Sequence, residues 1–374
     1  MEQVNILIIG AGVVGLSIGK YLTEEHSDVV IVEKESSFGR ETSSRNSEVI
    51  HSGIYYPHGS LKAKLCVEGN RMLYDYAAEK KIGCRRTGKI VIAGEESEYP
   101  ELEKLYRHGQ ANGVEGLQLI TGNRLQELEP LIIAGKGLWV PSTGIIDTHN
   151  LMLNLANEIE SDDGFIVYGM EAEKIEKNET GYLVSFNNGE EFQTNILINA
   201  AGLFSDKIAS LAGIDLKDTN LKLHWCKGEY YKASGVGEIS RLIYPLPDPK
   251  GISLGIHLTV NLNGEIRFGP NAYYVEELNY AMDESHKADF MKAVNRYLPI
   301  EMHNLHPDDT GIRPKLQGPG ENVRDFYIKE EAERGLKNLI NLIGIESPGL
   351  TACLAIGRYV RDLIGKRVHA DSAV

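Results

Sequence analysis

The 374-residue chain is 42% hydrophobic and 25% charged, the balance of a globular protein long enough to bury a sizeable core in one domain or two closely associated ones. Its net charge of −14 sets it against phosphate backbones, so the composition argues against nucleic acid as a partner. The four cysteines, Cys66, Cys84, Cys226 and Cys353, are widely spaced and form no CxxC or Cys/His ligand pattern; they read as free thiols of a reducing cytosol, and no metal is expected. No apolar run reaches the ~20 residues of a membrane-spanning helix, and a first strand at Val4 leaves no room for a targeting segment before it. The expected location is cytoplasmic, with peripheral contact at the inner face of the cell membrane left open.

In chain order, Val4 to Ile9 is a continuous apolar run, as in a strand buried on both faces. A glycine-rich turn leads to a helix from about Val13 to Glu25, and Asp28 to Glu33 is the next strand, a βαβ opening. Helices are predicted over Gly59–Lys81, Glu98–Asn112 and Thr148–Asp162, with a strand over Lys89–Ala93. Strands follow at Phe165–Tyr168, Ala172–Glu176, Tyr182–Phe186 and Asn195–Asn199. Lys222 to Asn271 is mostly β, with turns at Pro245–Pro249 and Asn263–Gly264; Asp283–Tyr297 is helical, Asn338–Ile343 is a last apolar strand and Thr351–Ile364 a last helix. The economical architecture is α/β: a Rossmann-like nucleotide domain (residues 1–83, 146–220 and 308–374) with a β-rich substrate domain (84–145 and 221–307) inserted into it.

Gly10-Ala11-Gly12-Val13-Val14-Gly15 is a GxGxxG pattern, and its position between a buried strand and a helix makes it informative. Gly10 permits the tight turn, Gly12 lets a pyrophosphate approach the backbone, and Gly15 lets helix and strand pack closely. The helix N-terminus offers free N–H groups to the phosphates. Glu33, 18 residues beyond Gly15, is placed to accept hydrogen bonds from ribose hydroxyls. The fingerprint does not separate NAD from FAD. A second glycine turn, Ile343-Gly344-Ile345-Glu346-Ser347-Pro348-Gly349-Leu350-Thr351, opens the last helix and would present another helix N-terminus to the pyrimidine edge of a flavin, where reduction places negative charge.

Four segments together resemble the D-amino-acid-oxidase superfamily of FAD enzymes: the fingerprint with Glu33, Ser43-Ser44-Arg45-Asn46-Ser47, Asn199-Ala200-Ala201-Gly202, and Gly311-Ile312-Arg313-Pro314 with the turn at 344–351. Within it, the stretches 45–57, 61–70, 254–259 and 311–316 resemble L-2-hydroxyglutarate dehydrogenases and oxidases. The resemblance implies non-covalent FAD, hydride transfer from C2 of a small dicarboxylic 2-hydroxy acid to flavin N5, and reoxidation by a quinone or oxygen. It also implies a cofactor site drawn from Gly10, Gly12, Val14, Gly15, Glu33, Lys34, Ser44, Arg45, Asn46, Ser47, Ala172, Ala201, Gly202, Gly344, Pro348, Gly349, Leu350 and Thr351. Competing activities are an amine or amino-acid oxidase, a glycerol-3-phosphate-type dehydrogenase and a catalytically silent flavoprotein.

By position, Arg313 matches the superfamily arginine that grips a substrate carboxylate, a contact a planar guanidinium can make through two parallel hydrogen bonds. Lys315, two residues on, shares its face if the stretch is a strand and could meet a distal carboxylate. His51 and His257 are the candidate bases for the hydroxyl proton, with His257 preferred; an amine substrate would need a base less, because its free form already carries a lone pair. Tyr55 and Tyr56 are candidate pocket residues.

Overall fold

The computed structural model describes residues 1–247 and 255–371, with side chains placed up to residue 365. Leu254 of the 254–259 stretch and Pro249 of the turn expected at 245–249 lie outside the described residues. The chain forms two compact units, one of residues 1–44, 148–224 and 314–374, the other of residues 45–147 and 225–313. Residues 45–83 thus pack in the second unit.

The first unit is built on a parallel sheet in the spatial order Phe165–Tyr168, Val29–Glu33, Glu2–Ile9, Glu191–Asn199, Leu336–Ile343. Tyr327–Glu331 adds an antiparallel edge strand, and the hairpin Ala172–Asn178/Gly181–Phe186 attaches to the start of Glu191–Asn199. Both faces of the central strands are covered, which is why they read as unbroken apolar runs rather than as alternating ones. Leu7, Ile9, Val30 and Val32 face a core that includes Ile208 and Ala209 of helix Ser205–Leu211. Ile31, pointing the other way, meets Gly19 of helix Val13–Thr23, as does Ile159 of helix Thr148–Ser161. The last helix, Gly349–Asp371, begins two residues before the expected start.

Helix Val13–Thr23 also packs on the last helix, and the closeness is set by glycine. A Cβ on Gly357 would sit 2.5 Å from the Ser17 carbonyl oxygen and 2.7 Å from a Tyr21 ring carbon.

The second unit holds a nine-stranded sheet in the order Tyr273–Val275, His224–Ala233, Ile266–Gly269, His257–Val260, Leu242–Pro245, Lys89–Ala93, Lys136–Val140, Gln118–Thr121, with Leu305–Lys315 also paired to His224–Ala233. Its mostly β character between residues 222 and 271 follows the sequence pattern, but Gln118–Thr121, Lys136–Val140 and the short helix Gly122–Leu128 carry no periodicity long enough to be read in advance. The expected helix 283–297 is a 3₁₀ turn, Glu284–His286, followed by Lys287–Val294. Helix Leu61–Lys80 is capped by Ser60, whose side chain accepts from the Ala63 N–H, and ends on Lys81 in the left-handed region (φ 56°).

Gly357→Val is expected to push the two helices apart and lower the unfolding free energy by about 1–3 kcal/mol, the usual cost of overpacking; a urea titration should show a lower midpoint with an unchanged slope.

Candidate active site

Four adjacent parallel strands of the first unit end together, because Ile9 is in register with Val32 and Asn199, and Asn199 with Asn341. The loops that leave those ends carry Gly10–Gly15, Glu33–Lys34, Ala201–Gly202 and Gly344–Thr351. Chain connections run to opposite sides of strand Glu2–Ile9, and the mouth of such a switch point is where α/β sheets bind ligands.

The details fit a dinucleotide. Gly10 has φ +108°, and a Cβ there would lie 2.6 Å from the Ala200 carbonyl oxygen. A Cβ on Gly12 would meet only Ser43 Oγ, at 3.1 Å, so this face of the turn is otherwise open, as a pyrophosphate requires. Ser43 Oγ accepts from the Val13 N–H at 3.0 Å. The Glu33 carboxylate accepts from the Ala11 N–H at 2.8 Å and the Glu35 N–H at 3.0 Å, which fixes its orientation while leaving lone pairs for hydroxyl donors. Lys34 pairs with Glu35 and Glu41 and lies 4.1 Å from the Phe204 ring centroid. Asn199 donates to Asn341 Oδ1 (2.8 Å) and to the Ser205 carbonyl (2.7 Å), and accepts from the Ala201 N–H, so the 200–202 loop is tied to the neighbouring strand. Gly202 (φ +54°) and Gly344 (φ +73°) need left-handed backbone at two of the loop positions. Ala172 is buried at the start of its strand, and Ser44 Oγ donates to carbonyls of its own turn.

The second unit contains the remaining candidates other than Lys315. Arg45 pairs with Asp309 at 3.1 Å and lies over the Tyr280 ring; Asn46 Oδ1 accepts from the Glu48 N–H, and Ser47 Oγ lies 2.9 Å from the Tyr230 hydroxyl. A Cβ on Gly311 would lie 2.3 Å from the Arg45 carbonyl oxygen, so strand Leu305–Lys315 and the 45–47 segment touch through backbone alone.

His51 and His257 belong to one buried cluster. Asn70 Nδ2, from helix Leu61–Lys80, donates to the carbonyls of His51 and Ser142, both at 2.9 Å, which anchors the His51 backbone. The His257 ring stacks on Tyr244, with centroids 3.8 Å apart and planes 19° from parallel. Its Nδ1 lies 2.9 Å from the Gly255 carbonyl, which can only accept, so Nδ1 carries the proton and Nε2 presents a lone pair. Burial lowers the His257 pKa to about 3; the Gly255 bond opposes this, and the charges of His51, Lys89 and Arg313 add to it. Burial, then Lys89, lowers His51 to about 3 as well. Both rings are neutral at any ordinary pH.

Lys89 heads a strand every residue of which is buried, and it is 0% exposed. Its Nζ has no hydrogen-bond partner among the described residues and sits 4.5 Å and 4.6 Å from the ring centroids of Tyr55 and Tyr244, whose hydroxyls are likewise without partners. Sequence reasoning missed Lys89, Tyr244 and Asn70. A lysine at the edge of an apolar run reads as a solvated flank, and only its register in the sheet shows otherwise.

Arg313 is half-buried. It forms no ion pair among the described residues, and its Nη1 lies 4.0 Å from Cys226 Sγ. Gly228 makes room for it, since a Cβ there would lie 3.0 Å from Nη2. Lys315 is placed differently from Arg313: its ammonium is buried in the first unit against the Glu346 carboxylate at 2.7 Å, with Gln317 also on Glu346. Tyr56 uses its carbonyl to accept from His108 and Asn112. Among the described residues no group of three or more His, Cys, Asp or Glu side chains could hold a metal ion, and no helix is long and apolar enough to cross a membrane.

Residues 5–363 match the family described as FAD dependent oxidoreductase. The chain is 36% identical to the mitochondrial L-2-hydroxyglutarate dehydrogenase of Arabidopsis thaliana over 96% of its own length and 83% of that protein's. It is 32% identical to the L-2-hydroxyglutarate dehydrogenase of Indibacter alkaliphilus, over 97% and 99%. Among solved structures it resembles the L-alpha-glycerophosphate oxidase of Mycoplasma pneumoniae with FAD bound (TM-score 0.85, 26% identity, 96% and 94% covered), and it shares the fold of the glycine oxidase of Geobacillus kaustophilus (TM-score 0.82, 20% identity, 98% and 95% covered). With the strand-end cradle shaped for a dinucleotide and these relatives matched over nearly their whole lengths, the chain belongs to the FAD-dependent oxidoreductases of the D-amino-acid-oxidase type, within the L-2-hydroxyglutarate dehydrogenase family.

Proposed function

We propose that the protein oxidises L-2-hydroxyglutarate to 2-oxoglutarate. The observation that carries this is the near-full-length similarity to L-2-hydroxyglutarate dehydrogenases at up to 36% identity, joined to a site rich in cationic and neutral basic groups. FAD, when bound, takes up the hydride from substrate C2. The cofactor is read as non-covalent, held by the first-unit turns around Gly12, Glu33, Gly202 and Gly349, with Arg45, Asn46 and Ser47 as further contacts.

Arg313 is the receptor for the carboxylate beside the reacting carbon. Its guanidinium, without an ion pair among the described residues, supports that role, because a half-buried cation free of a counter-ion favours an anionic ligand. His257 accepts the hydroxyl proton at Nε2. A histidine with so low a pKa is a weak base, yet a weak base suffices here: as the C2–H bond breaks, the hydroxyl becomes that of a protonated carbonyl, which is strongly acidic. His51 lies in the same cluster and is the alternative acceptor. Tyr55 and Tyr56 are read as pocket residues. Lys315 is assigned no substrate contact, because Glu346 already neutralises it.

The electron acceptor is read as a quinone or oxygen. A cytoplasmic enzyme touching the membrane peripherally would meet the first of these where it is dissolved. The glycerophosphate oxidase likeness makes glycerol 3-phosphate the substrate to exclude.

Anaerobic mixing with L-2-hydroxyglutarate should bleach the flavin, while its D isomer, glycerol 3-phosphate and glycine should not; bleaching by glycine alone would replace this reading with an amine oxidase. Acid precipitation should leave FAD in the supernatant and a colourless pellet. Arg313→Ala should lower kcat/KM by roughly 30- to several-thousand-fold, the cost of truncating a desolvated charged partner. His257→Ala should slow flavin reduction by about 10²–10⁴ with substrate Kd less affected, as read by stopped flow; an unchanged rate would transfer the role to His51.

A further inference from the structure

The cluster around His257 contains three basic side chains, and among the described residues no carboxylate is placed against the Lys89 ammonium. Lys89 is faced by Tyr244 from strand Leu242–Pro245, by Cys66 from helix Leu61–Lys80, and by His51 and Tyr55 from the segment before that helix. Strand Lys136–Val140 sets the non-titrating Val140 opposite it. His257, on strand His257–Val260, is faced by Tyr244, His51, Lys89 and Arg313. Each facing group is cationic, neutral or a weak acid that burial keeps protonated. The Lys89 ammonium has two aromatic faces beside it and no hydrogen-bond acceptor among the described residues. A buried enclosure of this kind holds one positive charge poorly and two far worse.

We propose that Lys89, His51 and His257 form a one-proton site: Lys89 holds the proton at rest, and it must leave to water before His257 can accept the proton of the substrate hydroxyl. The proposal rests on the hydroxy-acid reading above. The hydroxyl proton goes to His257 Nε2, the C2 hydrogen departs as hydride to the oxidised cofactor, and the product is the 2-oxo acid. Lys89 acts through His257 and touches no reacting atom, so it is a positioning residue, one that positions charge.

Burial lowers the Lys89 pKa from 10.5 to about 7, with Cys66 opposing the shift, which makes it the most basic member of the cluster and places its titration in the working pH range. The sign for stability follows. Between about 7 and 10.5 the unfolded chain binds a proton at this lysine that the folded chain does not, so stability rises with pH across that window. The burial penalty is fully present below about 7 and gone above 10.5.

Two measurements on the FAD holoenzyme test this. The rate of flavin reduction by saturating L-2-hydroxyglutarate should rise about tenfold between about pH 6 and about pH 8, as for a single ionisation near 7. Lys89→Met should abolish that rise. Lys89→Arg, charged at every pH, should stay slow throughout. A wild-type rate flat in pH, or the same rise retained in Lys89→Met, would overturn the proposal. Separately, Lys89→Met should melt above the wild type at about pH 6, with the gap narrowing towards about pH 10. A gap that is absent, reversed or independent of pH would show that Lys89 carries no depressed titration and would also overturn it. Failure of the substrate reading would look different, since no hydroxy acid would bleach the flavin at any pH. The melting comparison needs no substrate and decides the Lys89 point in that case too.

Discussion

The first unit depends on one backbone approach. A Cβ on Gly15 would lie 1.9 Å from the Gly10 carbonyl oxygen, so the opening helix can sit at the end of its strand only because position 15 has no side chain. That approach sets where the helix N-terminus points and leaves the Ala11 N–H to the Glu33 carboxylate. Gly357 meets the same limit, since a Cβ there would lie 2.5 Å from the Ser17 carbonyl oxygen, whereas Gly19 faces the side-chain ends of Ile31 and Ile159. Room for a pyrophosphate at the turn follows from packing helix and strand closer than side chains allow.

The buried polar groups include two contrasting arrangements. Glu229 is fully enclosed and accepts from Tyr273, Asn271, His286 and the Asp283 N–H; Glu331 takes Asn341, Tyr327 and Arg334. Each is saturated, and saturation is what makes a buried carboxylate a rigid joint rather than a liability. The group around His257 is the opposite, with the Lys89 ammonium and the Tyr55 and Tyr244 hydroxyls unpartnered among the described residues. Unsatisfied buried groups also occur elsewhere, at the Tyr231 and Tyr297 hydroxyls, but around His257 they gather beside a candidate base, where an incoming molecule could supply partners.

Much of this was legible in the sequence. The βαβ opening, the final strand and helix, and the mostly β middle followed from apolar periodicity and glycine turns, because these are local signals. Arg313 and His257 were singled out as candidates through resemblance in long strings around them. What local pattern cannot carry is register. Lys89 becomes a buried charge only because its strand pairs with Leu242–Pro245 and Lys136–Val140, and Tyr244 stacks on His257 only because a third strand continues that order. The same blindness applied to Lys315, whose spacing from Arg313 suggested a shared task although its partner, Glu346, lies 31 residues away. The 45–83 segment follows the nucleotide fingerprint in sequence yet packs with the second unit, which no composition shift marks.

The charge of the enclosure around His257 also bears on the chemical classes that share this fold. At neutral pH an amino acid carries an ammonium on the carbon that a 2-hydroxy acid leaves uncharged. Bringing that second cation beside a protonated Lys89 would cost Coulomb energy, with no acceptor on its ammonium among the described residues to recover it. On this reading a protonated Lys89 would favour an alcohol, neutral at the reacting carbon, over a zwitterion of nearly the same shape.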